Sequence, residues 1–454
     1  MGLSKLSTIQ NIYFIGIGGI GMSALARYFK FKGCMVGGYD KTLTTLTQQL
    51  EAEGIAIHYE DNVDLVPKNV DAVVYTPAIP KDHKELNFYR DNGYEVVKRS
   101  DVLQWISEAS FNICIAGTHG KTTITTMVAH ILRDTGFGCN AFLGGISANY
   151  QTNFWANENN VVVVEADEYD RSFLKLSPNI AIITAMDADH LDIYGTAEEV
   201  ENAFIQFSQK VKDGGCLITR YGLKRAMDFS VPDRCTYSFN NELANIYATD
   251  IKVEDASYRF NVVNDCWVIN DIVLNMGGLH NIENVLAAIA VAKYLKIDDE
   301  KIKAAVASFK GVKRRFEYIV KRDDMVLIDD YAHHPEELKA LITGVRSLYP
   351  KQKMTVVFQP HLFSRTKDLF KEFATSLDLA DDVLLLPIYP ARELPMEGVT
   401  SNLILNEMKL KEKQIVEKTD LVSTLKNKKA ELIVMAGAGD IDVLVFDVKK
   451  SIEQ

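Results

Sequence analysis

Short apolar runs recur along this chain, each closing on glycine or polar residues and each followed by a stretch with helical spacing. Ile12-Tyr13-Phe14-Ile15 gives way to Gly16-Ile17-Gly18-Gly19-Ile20-Gly21 and then to a helical pattern from Met22 to Lys32. A second run, Met35 to Tyr39, ends at Asp40, and a third, Asp71 to Tyr75, ends at Thr76-Pro77. Runs of this kind suit strands covered on both faces, and strand, glycine turn, helix, strand is the order of a parallel βαβ unit. The pattern restarts at Asn112 to Ala116, followed by Gly117-Thr118-His119-Gly120-Lys121-Thr122-Thr123 and a helix through about Arg133. Val161 to Val164 and Ile180 to Thr184 are further strands of this block, and acidic or histidine residues come soon after each. The stretch from Asn240 to Asn270 alternates in the manner of antiparallel strands (Tyr258-Arg259-Phe260-Asn261-Val262) and is expected at the edge of the block. A third block begins near Lys313. Its strands Met325–Ile328, Met354–Phe358, Val383–Leu386 and Leu432–Met435 alternate with helices starting near Pro335, Thr366 and Asp420. The pattern predicts an α/β protein of three domains, each on a largely parallel sheet: Rossmann-like over 1–104, P-loop-type over 105–312 and Rossmann-like over 313–454.

Composition agrees with that count. At ~100–200 residues per domain, 454 residues suggest about three, and 47% apolar with 24% charged residues is ordinary for a globular chain. The net charge of −11 argues against a nucleic-acid coat, which draws on surplus Lys and Arg. No run approaches the ~18–20 apolar residues of a membrane span. The first ten residues lack the apolar core of a secretion signal, and Leu6 breaks the myristoylation pattern. Six cysteines, scattered and without a CxxC pair, read as reduced thiols. The expected setting is the cytoplasm, with neither nucleic acid nor membrane insertion.

The segment Gly117 to Thr123 bears the most chemistry. A glycine turn between strand and helix aims backbone N–H groups and the helix dipole at an anion. Lys121 adds a positive charge, and Thr122 offers a hydroxyl to magnesium. The spacing is GxxGK[ST] and not GxxxxGK[ST], since Ile115 stands where that loop has glycine; a generic GTPase or kinase is disfavoured. Gly16 to Gly21, with Asp40 about 20 residues on, suits a dinucleotide or any other pyrophosphate-bearing ligand, a nucleotide sugar included. Glu165, Asp167 and Glu168 follow one strand, and Asp189, His190 and Asp192 follow another. Thr122, Glu165 and His190 therefore form a candidate magnesium site. Lys313-Arg314-Arg315-Phe316 suits an arginine clamp on developing phosphoryl charge. Asp329-Asp330-Tyr331-Ala332-His333-His334-Pro335 and Gln359-Pro360-His361-Leu362-Phe363-Ser364-Arg365 end two strands and suggest a second pocket, fitted to a carboxylate. Zinc on His333, His334 and His361 is the rival reading, weakened because adjacent histidines rarely face one metal.

Taken in order, these motifs resemble the Mur ligases of peptidoglycan precursor synthesis: GIGGIGMS at 16–23, GTHGKTT at 117–123, EADE at 165–168, DADHLD at 187–192, GLHNIEN at 278–284, GVKRRF at 311–316, DDYAHHP at 329–335, QPHLFSRT at 359–366 and GAGDI at 437–441. The resemblance covers almost the whole chain. It implies an ATP-dependent ligase that makes an amide bond through an acyl phosphate. Gly18-Gly19 resembles the branch that adds L-alanine to the lactyl carboxylate of UDP-N-acetylmuramate, where the tripeptide-recycling branch carries cysteine. The first domain would hold the UDP-sugar through Gly16, Gly18, Gly19, Ile20, Gly21, Met22, Asp40 and Thr76, with His119 and His190 at its far end. The central domain would hold ATP on Gly117, Thr118, His119, Gly120, Lys121, Thr122 and Thr123, with His280, Asn281 and Asn284 near the adenine and Thr122, Glu165 and His190 around magnesium. Arg315 and Asp330 would come to the nucleotide from the third domain, and Tyr331, His333 and Arg365 would line the amino-acid site. Lys121, Glu165, His190 and Arg315 are the expected catalytic residues, in a monomer or homodimer. Three departures stand out: Leu362 where the family usually has arginine, Thr76-Pro77-Ala78-Ile79 in place of Ser-Ser-Ala-Ile, and Ala185 in place of asparagine.

Overall fold

The computed structural model describes residues 5–188, 191–391 and 393–453, and the three predicted blocks are three sheets. The first holds β1 (Asn11–Ile15), β2 (Met35–Tyr39), β3 (Ala56–His58), β4 (Ala72–Tyr75) and β5 (Val96–Lys98) in the order β3-β2-β1-β4-β5. Every pairing in it is parallel. The strand order reverses at β1, which opens a crevice at the carboxyl ends of β1 and β4. The glycine run enters that crevice, anchored by Gly16 and Ile17, whose N–H groups donate to the Tyr39 carbonyl at 2.7 and 3.0 Å. The helix Ile20–Phe31 leads out of it.

The second sheet holds β6 (Phe111–Ala116), β7 (Asn140–Ser147), β8 (Thr152–Trp155), β9 (Val161–Glu165), β10 (Ile180–Ile183), β11 (Cys216–Arg220), β12 (Asp233–Ser238), β13 (Ile246–Glu254), β14 (Ser257–Asn264) and β15 (Trp267–Leu274). Its order is β15-β14-β13-β12-β11-β10-β6-β9-β7-β8. The predicted alternating arm is β13 to β15. Two-residue connections join these neighbours, which forces them antiparallel at the sheet's edge. The helix Lys121–Asp134 is buried from Thr122 to Leu132. Its threonines survive burial because Thr125 and Thr126 donate to the Lys121 and Thr122 carbonyls at 2.8 and 2.7 Å. The third sheet holds β16 (Glu317–Arg322), β17 (Met325–Asp330), β18 (Met354–Phe358), β19 (Asp382–Leu385), β20 (Lys413–Ile415) and β21 (Leu432–Ala436), ordered β16-β17-β21-β18-β19-β20. Only β16–β17 pairs antiparallel there.

The backbone divides into two compact units: residues 1–249, 261–271 and 283–309, and residues 250–260, 272–282 and 310–454. The first sheet and the second from β6 to β12 belong to the first unit, where one apolar cluster runs from Phe14 and Phe29 to Phe142 and Val164. Tyr28 bridges it, its ring 5.4 Å from that of Phe142. Arg27 adds a buried polar tie, donating to Glu53 at 2.7–3.0 Å and to Asn153. The boundary drawn at 104 falls inside the helix Arg99–Ala109, which carries the chain from the first sheet to the second. Among the described residues no helix is long and apolar enough to cross a membrane.

Candidate active site

The loop after β6 turns on two glycines with positive φ, Gly117 at +128° and Gly120 at +79°. A methyl group on Gly117 would stand 2.0 Å from Thr184 Oγ1, and one on Gly120 would stand 2.9 Å from Asn284 Oδ1. Glycine is thus required twice over, by conformation and by space. The end of β10 pins the loop. The Thr184 hydroxyl donates to the His119 carbonyl, Thr118 N–H donates to the Ala185 carbonyl at 3.2 Å, and Asp187 N–H donates to Thr118 Oγ1 at 3.2 Å. Ala185 therefore serves here through its backbone, which no side-chain change removes. Thr118 and Thr123 are buried, whereas His119 is exposed, with Nε2 3.6 Å from Asp187.

Lys121 opens the following helix and folds back over its own loop. Its Nζ donates to the Gly117 carbonyl and to Glu168 Oε1, both at 2.7 Å. Thr122 Oγ1 donates to Glu165 Oε1 at 3.0 Å, so two of the three predicted magnesium ligands meet. Room for that carboxylate comes from Gly144 in β7, where a methyl group would lie 2.1 Å from Glu165 Oε2. His190, expected at the metal, ATP and sugar sites, lies outside the described residues. Among those described, no group of three or more His, Cys, Asp and Glu is gathered to hold a metal. Asn284 packs against Gly120, while Asn281 donates to the Gly277 carbonyl at 2.6 Å and His280 rests its ring against Gly278.

A cavity of about 370 Å³ connects this centre to the first glycine run. Gly19, Ile20, Gly21, Met22, Thr76 and Ala78 line one side, and Gly144, Glu165 and Asp167 line the other. Arg99 lies on the wall, its Nη1 2.6 Å from where a Gly21 Cβ would be and its Nη2 3.9 Å from Asp167. Asp40 stays behind the wall and acts on the loop: its Oδ2 accepts from Gly18 N–H at 2.8 Å and its Oδ1 from Thr42 N–H at 3.0 Å. A side chain on Gly18 would collide with that carboxylate.

The third sheet carries a second cluster. Asp330 accepts from Phe316 N–H and Ala332 N–H, both at 2.7 Å, so it splices the KRRF turn to the end of β17. Burial pushes its carboxyl up to about 6 against those hydrogen bonds and the pull of Arg315. Neighbouring Asp329, buried against Arg314, is pushed up to about 7. Arg314 is structural, held to Asp329 at 3.4 Å and to the Gly437 carbonyl at 2.5 Å; Arg315 is exposed. Tyr331 and His333 meet at 5.3 Å between rings, and His333 and His361 at 6.0 Å. Burial lowers the pKa of both histidines, and Arg365 lowers them further. Arg365 Nη1 and His361 Nδ1 are buried without a hydrogen-bond partner. The zinc alternative fails on geometry. His334 caps the helix Pro335–Leu348, accepting from Glu336 N–H at 3.4 Å, and His333 Nδ1 is engaged with the Tyr331 carbonyl at 2.9 Å.

The structure thus gathers Lys121, Thr122 and Glu165 in one place and Tyr331, His333 and Arg365 in another. Sequence reasoning missed Arg99, Gly144 and Tyr389, which stacks on His361 at 5.8 Å, and gave Glu168 no role. Only Glu168 left a signal, as the last member of EADE.

Comparison with known proteins supports one lineage for all of it. The description "Mur ligase family, catalytic domain" matches residues 11–111, "Mur ligase middle domain" residues 115–292 and "Mur ligase, glutamate ligase domain" residues 314–445. Curated relatives named UDP-N-acetylmuramate–L-alanine ligase include one from Christiangramia forsetii, 46% identical over 99% of both chains. Another, from Cytophaga hutchinsonii, is 48% identical over 99% of this chain and 98% of its own. The crystal structure of the UDP-N-acetylmuramate-alanine ligase of Thermotoga maritima superposes with a TM-score of 0.82, at 28% identity, over 98% of this chain and 99% of that one. A murein peptide ligase from Psychrobacter arcticus shares the fold, with a TM-score of 0.65 and 22% identity over 98% of each chain. With relatives this similar along almost its whole length, the chain belongs to the Mur ligase family.

Proposed function

We propose that this chain is an ATP-dependent ligase that joins L-alanine to the lactyl carboxylate of UDP-N-acetylmuramate in peptidoglycan synthesis. The carrying observation is the cavity that runs from Gly19–Met22 to Glu165, because a nucleotide sugar seated on the glycine run brings its far end to the phosphate loop. The curated relatives bear the name of this reaction. Residues 1–104 hold the sugar nucleotide, 105–312 ATP and 313–454 the amino acid. The working setting is the cytoplasm, as monomer or homodimer.

A carboxylate is a poor electrophile. Its oxygen first attacks the γ-phosphorus of ATP, forming an acyl phosphate and releasing ADP; the amine of L-alanine then attacks the acyl carbon and phosphate leaves. Lys121 and Arg315 offset the charge spread over the transferring phosphoryl group. Hard oxygen donors suit magnesium, and the Thr122 hydroxyl 3.0 Å from the Glu165 carboxylate is such a pair. Thr122, Glu165 and His190 would hold the ion, which supplies positive charge to the phosphate oxygens. Asp40 fixes the glycine run so that its N–H groups and the helix N-terminus face the pyrophosphate, with Thr76 and Met22 beside the sugar. His280, Asn281 and Asn284 flank the adenine, and Asp330 sets the turn that presents Arg315. Arg365 takes the amino-acid carboxylate in the pocket of Tyr331 and His333. Burial keeps His333 neutral near pH 7, able to accept the proton of the attacking amine.

Sugar nucleotide labelled with ¹⁸O in the lactyl carboxylate tests the route. One labelled oxygen per released phosphate is expected; unlabelled phosphate would exclude acyl transfer through phosphate.

A further inference from the structure

Glu168 touches the lysine of the phosphate loop and has no part in the reaction described above. It is 1% exposed, at the start of the segment that leaves β9, and the Tyr194 hydroxyl fixes that segment by donating to the Glu168 carbonyl at 2.6 Å. Its carboxylate meets the Lys121 ammonium at 2.7 Å. An ammonium has three N–H donors; one goes to Glu168 and one to the Gly117 carbonyl. The lysine meant for the phosphates is therefore held by its own loop and by a buried anion.

We propose that Glu168 is a positioning residue that holds the Lys121 ammonium over the phosphate loop and yields it to an incoming triphosphate. This rests on the ATP-ligase reading above. Two consequences follow from charge. A carboxylate this close to the phosphates opposes their binding, so the pair weakens ground-state affinity for nucleotide. The same carboxylate limits the lysine to one orientation, and a charge already aimed at the developing phosphoryl group favours the transition state over the bound ground state. Glu168 thus lowers nucleotide affinity and raises turnover, the reverse of what a residue serving only stability would do.

Glu168→Gln keeps the shape and one oxygen acceptor and removes the charge. Calorimetric titration with a non-hydrolysable ATP analogue and magnesium, with no other substrate, is expected to show about tenfold tighter binding than in the parent chain. Steady-state assays are expected to show a lower KM for ATP together with a kcat reduced about tenfold. Unchanged or weaker analogue binding would overturn the proposal. Glu168→Asp, which keeps the charge but is one methylene too short for the 2.7 Å contact, guards against a variant that fails to fold: a fallen kcat with an unaltered KM for ATP is expected, and an unaltered kcat would overturn the proposal. If the parent chain binds no ATP analogue, it is the ligase reading that fails.

Discussion

Lys121, Thr122 and Glu165 were legible because their chemistry lies in short spacing: a lysine and hydroxyl behind a glycine turn, and a carboxylate at a strand's end. Glu168, Arg99 and Tyr389 were not, since their contacts depend on partners distant in the chain: Glu168 on Lys121, Arg99 on Gly21, Tyr389 on His361. Lys121→Ala is expected to cost about 10²- to 10³-fold in kcat, the usual loss when one stabiliser of developing charge is removed. Equilibrium titration with UDP-N-acetylmuramate should find its affinity unaltered, because the glycine run and Asp40 are untouched. Another residue lies far from any motif. Glu85 is fully buried, accepting from the Tyr13 hydroxyl at 2.9 Å and Asn62 N–H at 3.1 Å, and burial pushes its carboxyl up to about 7. An acid whose pKa rises on folding stabilises in its protonated form, so its contribution is complete below about pH 4.5 and is lost as pH climbs through about 7. Glu85→Gln should flatten that loss. Urea melts at pH 5 and pH 8 are expected to show the variant gaining on the parent chain at the higher pH, and an equal difference at both would refute the assignment.

Strands and their glycine turns were readable as elements because buried parallel strands are continuous apolar runs, and most strand positions agree to within a residue or two. Spacing between elements was less readable. The tie between the first two sheets comes from Tyr28, Phe142 and Arg27, which no local pattern joins, so the boundary at 104 was drawn through the helix that connects them. Close packing between β7 and β9 supplies a sharper test. Gly144→Ala, whose methyl group would stand 2.1 Å from Glu165 Oε2, should displace that carboxylate and lower kcat about 10²-fold, the loss also expected of Glu165→Ala, with the fold retained by circular dichroism. At the start of the helix Phe363–Leu377, Leu362 sits at φ +70°, ψ 137°, backbone that favours glycine, and its N–H is fixed to the Tyr389 carbonyl at 3.0 Å. Strain of this kind costs about 1–3 kcal/mol, part of it offset by glycine's larger chain entropy. Leu362→Gly is expected to stabilise the chain by about 1 kcal/mol in a denaturant melt; destabilisation would show that the leucine side chain contributes more than its backbone costs.

For the whole molecule, three sheets match three substrates in the proposed reaction: sugar nucleotide, ATP and amino acid. The net charge of −11 argues against a nucleic-acid coat without bearing on anionic ligands, which in the proposed reaction local groups would serve: Lys121 at one loop, the backbone N–H groups of the other, and Arg365 in the third sheet. The division into three blocks was legible because each begins its own alternation of strand and helix. The grouping of the first sheet with β6 to β12 of the second into one compact unit was not, being a matter of packing between surfaces. The central claim is best tested by ADP release from ATP and magnesium with UDP-N-acetylmuramate, comparing L-alanine, glycine, L-serine and the muropeptide tripeptide as the amine. Release that depends on the sugar nucleotide and is fastest with L-alanine is expected; no sugar-dependent release with any amine, or turnover with the tripeptide alone, would contradict the account.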